Sequence, residues 1–198
     1  AEKKVRYVGE PIAAVVAETV NQAIDAAELV EVDYEPLEAI TDLNDALTDR
    51  IVLFTDEDAA RHRDDDFPVA NPDTPTNVVL RHTVPHDEAK FDADVTIAQR
   101  FLNPRQSPAP IETHGQACVW TDDGHLHVWT ASQRPHGFRD HLCDLFQLPQ
   151  DRVHVTAPRF VGGGFGGKVN RTPEESALTV VAKLVGRPVR CTSPLPSQ

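Results

Sequence analysis

The stretch that most restricts this chain is Arg159-Phe160-Val161-Gly162-Gly163-Gly164-Phe165-Gly166-Gly167-Lys168, which holds five of the ten glycines. Glycine tolerates positive φ and lets a backbone approach a ligand closely, at an entropic cost once the segment is ordered. Packing alone gives little reason to gather five such residues around one phenylalanine. A run of this kind can instead line up backbone N–H groups as an anion-binding nest. The sequence supplies regular elements on both sides of it. Val153-His154-Val155-Thr156 reads as a strand leading in. The helix leading out is well marked: Thr172 is the N-cap, Pro173 takes the first helical position and Glu175 completes a capping box. Leu178, Val181, Ala182 and Val185 form its apolar face, and Gly186 with Pro188 ends it.

Upstream, Cys118-Val119-Trp120 and Leu126-His127-Val128-Trp129 flank Thr121-Asp122-Asp123-Gly124, which reads as a hairpin because Asp-Gly suits the turn. A helix follows over 136–147, with Phe138, Leu142, Leu145 and Phe146 on one face. At the start of the chain, Ile12 to Ala17 reads as a buried strand. A helix then runs from Val20 to about Val30, with Thr19 and Gln22 as a capping box, and 30–35 reads as a half-exposed strand that Pro36 ends. Residues 77–84 and 93–102 read as two further strands. Between 41 and 76 the periodicity fades, and the segment reads as a solvated connector. Asp56 to Asp66 is acidic in part but lacks the spacing of a calcium loop. The fold class this implies is α+β, with a mixed sheet.

Nineteen basic against thirty-one acidic residues give a net charge of −12, which argues against nucleic acid, whose binding needs a concentrated basic surface. No stretch has the apolar length of a membrane span. Cys118, Cys143 and Cys191 are odd in number and far apart, so neither a disulfide framework nor a zinc site is indicated. A reducing, cytoplasmic setting is the expectation. No methionine occurs anywhere, so the chain is expected to be a piece of something longer.

Three readings of the glycine run stand on its residues alone. Gly162 to Lys168 follows a nucleotide P-loop up to the lysine, but Val169 replaces the hydroxyl that would hold Mg²⁺, and the helix cap comes only at Thr172. Gly162-x-Gly164-x-x-Gly167 also matches a dinucleotide fingerprint literally. Arg187 and Arg190 stand where its acidic residue is expected, which would suit a phosphorylated ribose. The bland reading is a glycine-rich turn with no ligand.

A fourth reading comes from resemblance. Ala157-Pro158-Arg159, Gly162 to Lys168, Glu174-Glu175 and Gly186-Arg187-Pro188-Val189-Arg190 together resemble the molybdenum hydroxylase family, which includes xanthine dehydrogenase, aldehyde oxidase and aerobic carbon monoxide dehydrogenase. Three more stretches agree. Residues 5–13 through 26–35 resemble the end of the family's hammerhead domain. Pro108-Ala109-Pro110-Ile111-Glu112 resembles the opening of its cofactor domain, and Ala131-Ser132-Gln133-Arg134-Pro135-His136 its Ser/Thr-Gln-x-Pro loop. The implied organisation is 1–50 as the end of the hammerhead domain, 51–76 as a connector, and 77–198 as the first part of the molybdopterin-binding domain.

The resemblance implies a fragment of a large, molybdenum-binding subunit. That subunit would hydroxylate aldehydes or N-heterocycles, or oxidise carbon monoxide, with water as oxygen source. It implies a molybdenum–molybdopterin cofactor in its cytosine dinucleotide form, with no protein ligand to the metal. It also implies an iron–sulfur small subunit carrying [2Fe-2S], an FAD-binding medium subunit, and a dimer of heterotrimers. By position, Gln133 matches the glutamine whose amide faces the molybdenum centre. Gly164, Phe165 and Gly166 match the segment whose amides and ring meet the cofactor and substrate. Lys168 and Arg171 would soften the cofactor's charge. Glu112 reads as a hydrogen-bonding carboxylate rather than a catalyst, and His114, His125 and His127 as packed or surface residues. No catalytic residue is expected within 1–198, because the family's general-base glutamate lies downstream, and the isolated chain is expected to be inactive. Val169 stands where the purine-oxidising branch has a glutamate, so a purine substrate is disfavoured. Cys191 and the tail Ser193 to Gln198 depart from the family pattern. The alternatives are a stand-alone binding or assembly module and a nucleotide-phosphate binder.

Overall fold

The computed structural model describes residues 4–54, 76–78, 94–95, 97–103 and 106–193. The chain divides into two compact units, Ala1–Glu10 with Val15–Arg100, and Pro11–Ala14 with Phe101–Gln198.

The first unit is built from local signals. Helix α1, Val20–Glu28, starts at the expected box: the Gln22 N–H donates to Thr19 Oγ1 at 3.3 Å and the Thr19 N–H to Gln22 Oε1 at 3.1 Å. Its apolar face is left largely open, however, with only Ala23 and Ala26 half-buried. No residue of α1 is buried, and Val20 and Ile24 are 60% and 53% exposed. The strands read at 12–17 and 30–35 are not present. Both segments are without regular structure, because an extended run becomes a strand only when a neighbour completes its ladder, and none does among the described residues. The same correction applies to 97–102, while most of 77–84 and the acidic stretch 56–66 lie outside the described residues.

Part of the supposed connector is organised. Helix α2, Leu43–Ala46, is capped by Asp42, whose carboxylate accepts from the N–H groups of Asp45 at 3.1 Å and Asn44 at 2.8 Å. These two bonds hold the Asp42 carboxyl below its ordinary range. Asn77 then ties the following loop together. Its Nδ2 donates to the carbonyls of Ala46 at 2.9 Å and Ile51 at 2.7 Å, while its Oδ1 accepts from the Leu53 N–H at 2.9 Å.

The second unit has a core. Strands β1 (Gly115–Trp120), β2 (Leu126–Thr130), β3 (Val153–Thr156) and β4 (Val189–Thr192) form one sheet in the order β3-β2-β1-β4. The expected hairpin pairs β1 with β2 antiparallel, with Cys118 opposite Val128 and Trp120 opposite Leu126. β2 and β3 are parallel, so a crossover must join them, and helix α3, Pro135–Phe146, supplies it. Helix α4, Pro173–Val185, carries the chain from β3 to the far edge, where β4 pairs antiparallel with β1. β4 was not expected from the sequence. It is four residues long, begins just after a proline, and is exposed along most of its length.

Alternate residues of the sheet, Cys118, Leu126, Val128 and Val153, face Phe138, Leu142 and Cys143 of α3 and Ala182 of α4 to make that core. Two donors at its margin are paired: Trp120 Nε1 donates to the Thr179 carbonyl at 3.0 Å and Gln116 Nε2 to the Glu175 carbonyl at 2.8 Å, while Gln116 Oε1 is buried without a hydrogen-bond partner among the described residues. Two expected face residues fall outside it. The buried stripe of α3 turns toward Cys143, leaving Leu145 45% exposed, and on α4 Thr179 is buried while Val185 is 44% exposed. α4 has its expected ends: the Glu175 carboxylate accepts the Thr172 N–H at 2.9 Å, and Gly186 closes the helix at φ 65°.

Candidate functional site

The glycine run forms the loop between β3 and α4, and two side chains from elsewhere in the same unit shape it. One comes from the β2–α3 turn, where the Ser132 hydroxyl accepts the Arg134 N–H at 3.0 Å. Gln133, between them, meets Lys168 at two points. Its backbone N–H donates to the Lys168 carbonyl at 2.9 Å, and its Oε1 accepts the Lys168 N–H at 3.2 Å. The side chain thus replaces a second strand. This contact requires glycine at 164, because a Cβ there would lie 2.7 Å from Gln133 Oε1. With Oε1 engaged, the Nε2 end has no acceptor among the described residues, and Gln133 is exposed. The amide therefore presents two uncharged donors outward beside Gly164.

The second side chain is Glu112, from the segment ahead of β1. Its backbone N–H donates to the Gly162 carbonyl at 3.4 Å, and its Oε2 accepts the Gly162 N–H. Any side chain at 162 would collide, since a Cβ would fall 2.6 Å from Glu112 Cβ. The other oxygen, Oε1, lies 3.7 Å from Lys168 Nζ. Lys168 is 2% exposed, and its Nζ has no hydrogen-bond acceptor among the described residues. Glu112 is thus the hydrogen-bonding carboxylate read from the sequence. Lys168 instead lies under the loop.

Between these brackets the chain turns tightly, with the Gly167 N–H donating to the Gly164 carbonyl at 2.7 Å and the Val169 N–H to the Gly166 carbonyl at 3.3 Å. Phe165 sits at φ 47°, in the left-handed region that non-glycine residues rarely occupy. Its ring is 78% exposed, so it is no part of the core, and Phe160 nearby in sequence is 86% exposed. Gly166 is exposed beside it. Gln133, Gly164, Phe165 and Gly166 therefore share one loop surface, made of amide donors and an outward aromatic ring. A planar, anionic, acceptor-rich ligand suits such a surface, as a pterin on a metal dithiolene would.

The remaining candidates lie apart from these contacts. Arg171 is exposed at the end of the loop, and the His114 carbonyl accepts the Ser193 N–H at 2.8 Å, prolonging the β1–β4 edge. His125 and His127 belong to a row the sequence did not disclose. The parallel register of β2 and β3 places His127 opposite His154, with ring centroids 4.7 Å apart, and His125 Nδ1 lies 3.2 Å from His154 Nε2. Among the described residues, no three His, Cys, Asp or Glu side chains are arranged to hold a metal ion.

Comparison with known proteins places these features in context. Residues 70–196 match the model of a molybdopterin cofactor-binding domain, and residues 1–38 that of the aldehyde oxidase and xanthine dehydrogenase a/b hammerhead domain. The chain is similar to the nicotine 6-hydroxylase large subunit of Paenarthrobacter nicotinovorans, at 32% identity over 96% of this chain and 22% of that protein. It is 31% identical to the carbon monoxide dehydrogenase large chain of Hydrogenophaga pseudoflava, over 96% of this chain and 24% of the other. The crystal structure of quinoline 2-oxidoreductase from Pseudomonas putida 86 superposes with a TM-score of 0.68 at 30% identity, covering 90% of this chain and 21% of that one. The chain thus spans between a fifth and a quarter of the length of the curated relatives it matches.

Proposed function

The chain belongs to the molybdenum hydroxylase family, as part of its large, molybdopterin-binding subunit, and we propose that the intact subunit hydroxylates aldehydes or N-heterocycles, or oxidises carbon monoxide, with water as oxygen source. On this reading residues 1–50 end the hammerhead domain, 51–76 connect, and 77–198 open the cofactor domain. An iron–sulfur small subunit and an FAD-binding medium subunit complete a dimer of heterotrimers in the cytoplasm. When bound, the molybdenum–pterin group, in its cytosine dinucleotide form, supplies the two-electron oxidation of the substrate.

The chain's own residues hold and orient that group. Gln133 donates from Nε2, an uncharged donor that stabilises negative charge without a titrating proton. The backbone around Gly164 and Gly166 allows close approach, and the Phe165 ring stands where a flat substrate can lie against it. No residue of 1–198 is assigned the general base. The observation that carries the reading is the Gln133 amide, fixed by Lys168 at its oxygen end and open at its nitrogen end beside Gly164. The nucleotide-phosphate alternative is weakened by Lys168: a P-loop lysine must reach its ligand, and this Nζ is buried against Glu112.

The test is to express the full-length subunit with its neighbouring subunits and measure molybdenum per subunit together with pterin fluorescence. Gly164→Ala should displace the Gln133 amide and lower bound molybdenum at least about tenfold, with the β1–β2 core still folded, as expected for loss of one well-placed donor in an excluded site. A wild-type subunit without molybdenum or pterin would overturn the reading. An alanine variant that keeps full metal would remove Gln133 from it.

A further inference from the structure

We infer that the buried Lys168 and the half-buried Glu112 form an electrostatic clasp that joins the two ends of the glycine loop and fixes its curvature before any cofactor arrives. Lys168 is the largest fully buried side chain of the described residues, and it is a cation. A lone buried ammonium is costly unless a counter-charge accompanies it. Its carboxylate neighbour is Glu112, at 3.7 Å, which is too long for a hydrogen bond and well within Coulomb range.

The geometry of Glu112 makes this pairing directional. One carboxylate oxygen faces Lys168 Nζ at the end of the loop, and the other accepts the Gly162 N–H at its beginning. One side chain therefore measures the span between residues 162 and 168. The lysine contributes twice, because its backbone N–H and carbonyl are the groups that Gln133 grips. Gln133 sets the register of the loop's end, and Glu112 ties its start to the same residue. Without these anchors, the segment 162–167 would be among the most conformationally free in the chain. With them it is pre-organised, so binding need not supply the ordering. Lys168 and Glu112 are thus positioning residues. They act on the cofactor through the loop.

The test uses hydrogen exchange by mass spectrometry on the chain, followed over peptides covering 160–168 and 126–130. Lys168→Met keeps the stem and removes the charge. Glu112→Gln keeps an acceptor for Gly162 and removes the charge. Each single variant should speed exchange over 160–168 about tenfold, the equivalent of losing one ordinary hydrogen bond, and leave 126–130 unchanged. The double variant, neutral at both positions, should return to within about twofold of wild type, because the two sites are coupled and not additive. Packing alone would not give that rescue. Two singles that exchange like wild type, or a double variant as labile as the singles combined, would overturn the clasp. If a single variant fails to fold by tryptophan fluorescence, the double variant decides: native fluorescence and slow exchange support the clasp, and an unfolded double variant overturns it.

The role toward the cofactor rests on the reading proposed above, and is measured separately as molybdenum retained by the intact subunit after gel filtration. It should fall several-fold in Glu112→Gln and recover in the double variant. Slow exchange in a wild-type protein that binds no molybdenum would leave the clasp standing and sink the cofactor assignment. Retention equal to wild type in both singles would confine the clasp to the unloaded protein and overturn its role in binding.

Discussion

Helices α1 and α3 make an instructive pair. α1 has a complete capping box and an amphipathic sequence, yet it buries no residue. α3 has no side-chain cap, yet Leu142 is fully buried and Phe138 and Cys143 nearly so. Capping decides where a helix begins, whereas tertiary burial supplies most of what keeps it formed. The first unit therefore consists of locally specified pieces held by hydrogen bonds such as those of Asn77. The second is held by a sheet closed on two helices.

The sharpest way to break this contrast is to remove equivalent apolar side chains from both. Leu142→Ala should cost about 2–5 kcal/mol, the usual range for emptying a packed site. Ile24→Ala should stay within about 0.5 kcal/mol, as for an exposed position. Urea unfolding followed by tryptophan fluorescence, from Trp120 and Trp129, and by far-ultraviolet circular dichroism reads both. A large loss for Ile24→Ala would mean that the α1 face is covered in solution, and the contrast would fail.

A smaller effect is expected where hydrogen bonds replace burial. Asn77→Ala strands the Leu53 N–H and the carbonyls of Ala46 and Ile51, and should cost about 1–3 kcal/mol for these part-buried groups. The same loop depends on pH through Asp49. Its carboxylate accepts from the Asn77 N–H at 2.7 Å and the Thr76 hydroxyl at 2.8 Å, and these bonds, the first above all, hold its pKa below the ordinary value. A depressed carboxyl stabilises the fold above its unfolded value and loses that contribution as pH falls through the folded one. Exchange over 42–53 should therefore quicken as pH drops below about 4, after correction for intrinsic rates. In Asp49→Asn that additional acid dependence should shrink to what the Asp42 cap of α2 contributes. Equal acid sensitivity in the two proteins would assign the effect to another group.

What the sequence disclosed follows the same division. Helix starts were legible, because Thr19 with Gln22 and Thr172 with Glu175 act within four residues. The β1–β2 hairpin was legible because Asp123-Gly124 determines its turn. The strands at 12–17 and 30–35 were misread, since neither an apolar run nor an apolar–acidic alternation says whether a neighbouring strand exists to complete the ladder. β4 was missed because pairing with β1, some seventy residues away in sequence, and not its own composition, makes it a strand. At the candidate site, the glycine at 164 and the amide of Gln133 could be named from their motifs, but not their mutual contact. The Glu112–Lys168 pair and the His127–His154 register both join residues far apart in the chain, so no local pattern announces them.

The smallest effect, on reactivity rather than stability, tests the closed core directly. All three cysteines lie in the second unit, Cys118 and Cys143 buried and Cys191 exposed on β4. Burial pushes the Cys118 thiol up to about 11, against the opposing influence of the Gln116 side chain, and burial also raises Cys143. The reactive species is the thiolate, so both should be nearly inert at pH 8, while Cys191 is open to solvent. An aromatic disulfide reagent at that pH should titrate one thiol in the native chain and three in denaturant, and Cys191→Ser should abolish the native signal. Labelling of Cys118 at the rate of Cys191 would mean that the sheet opens as readily as its edge. The second unit would then have no stability advantage over the first.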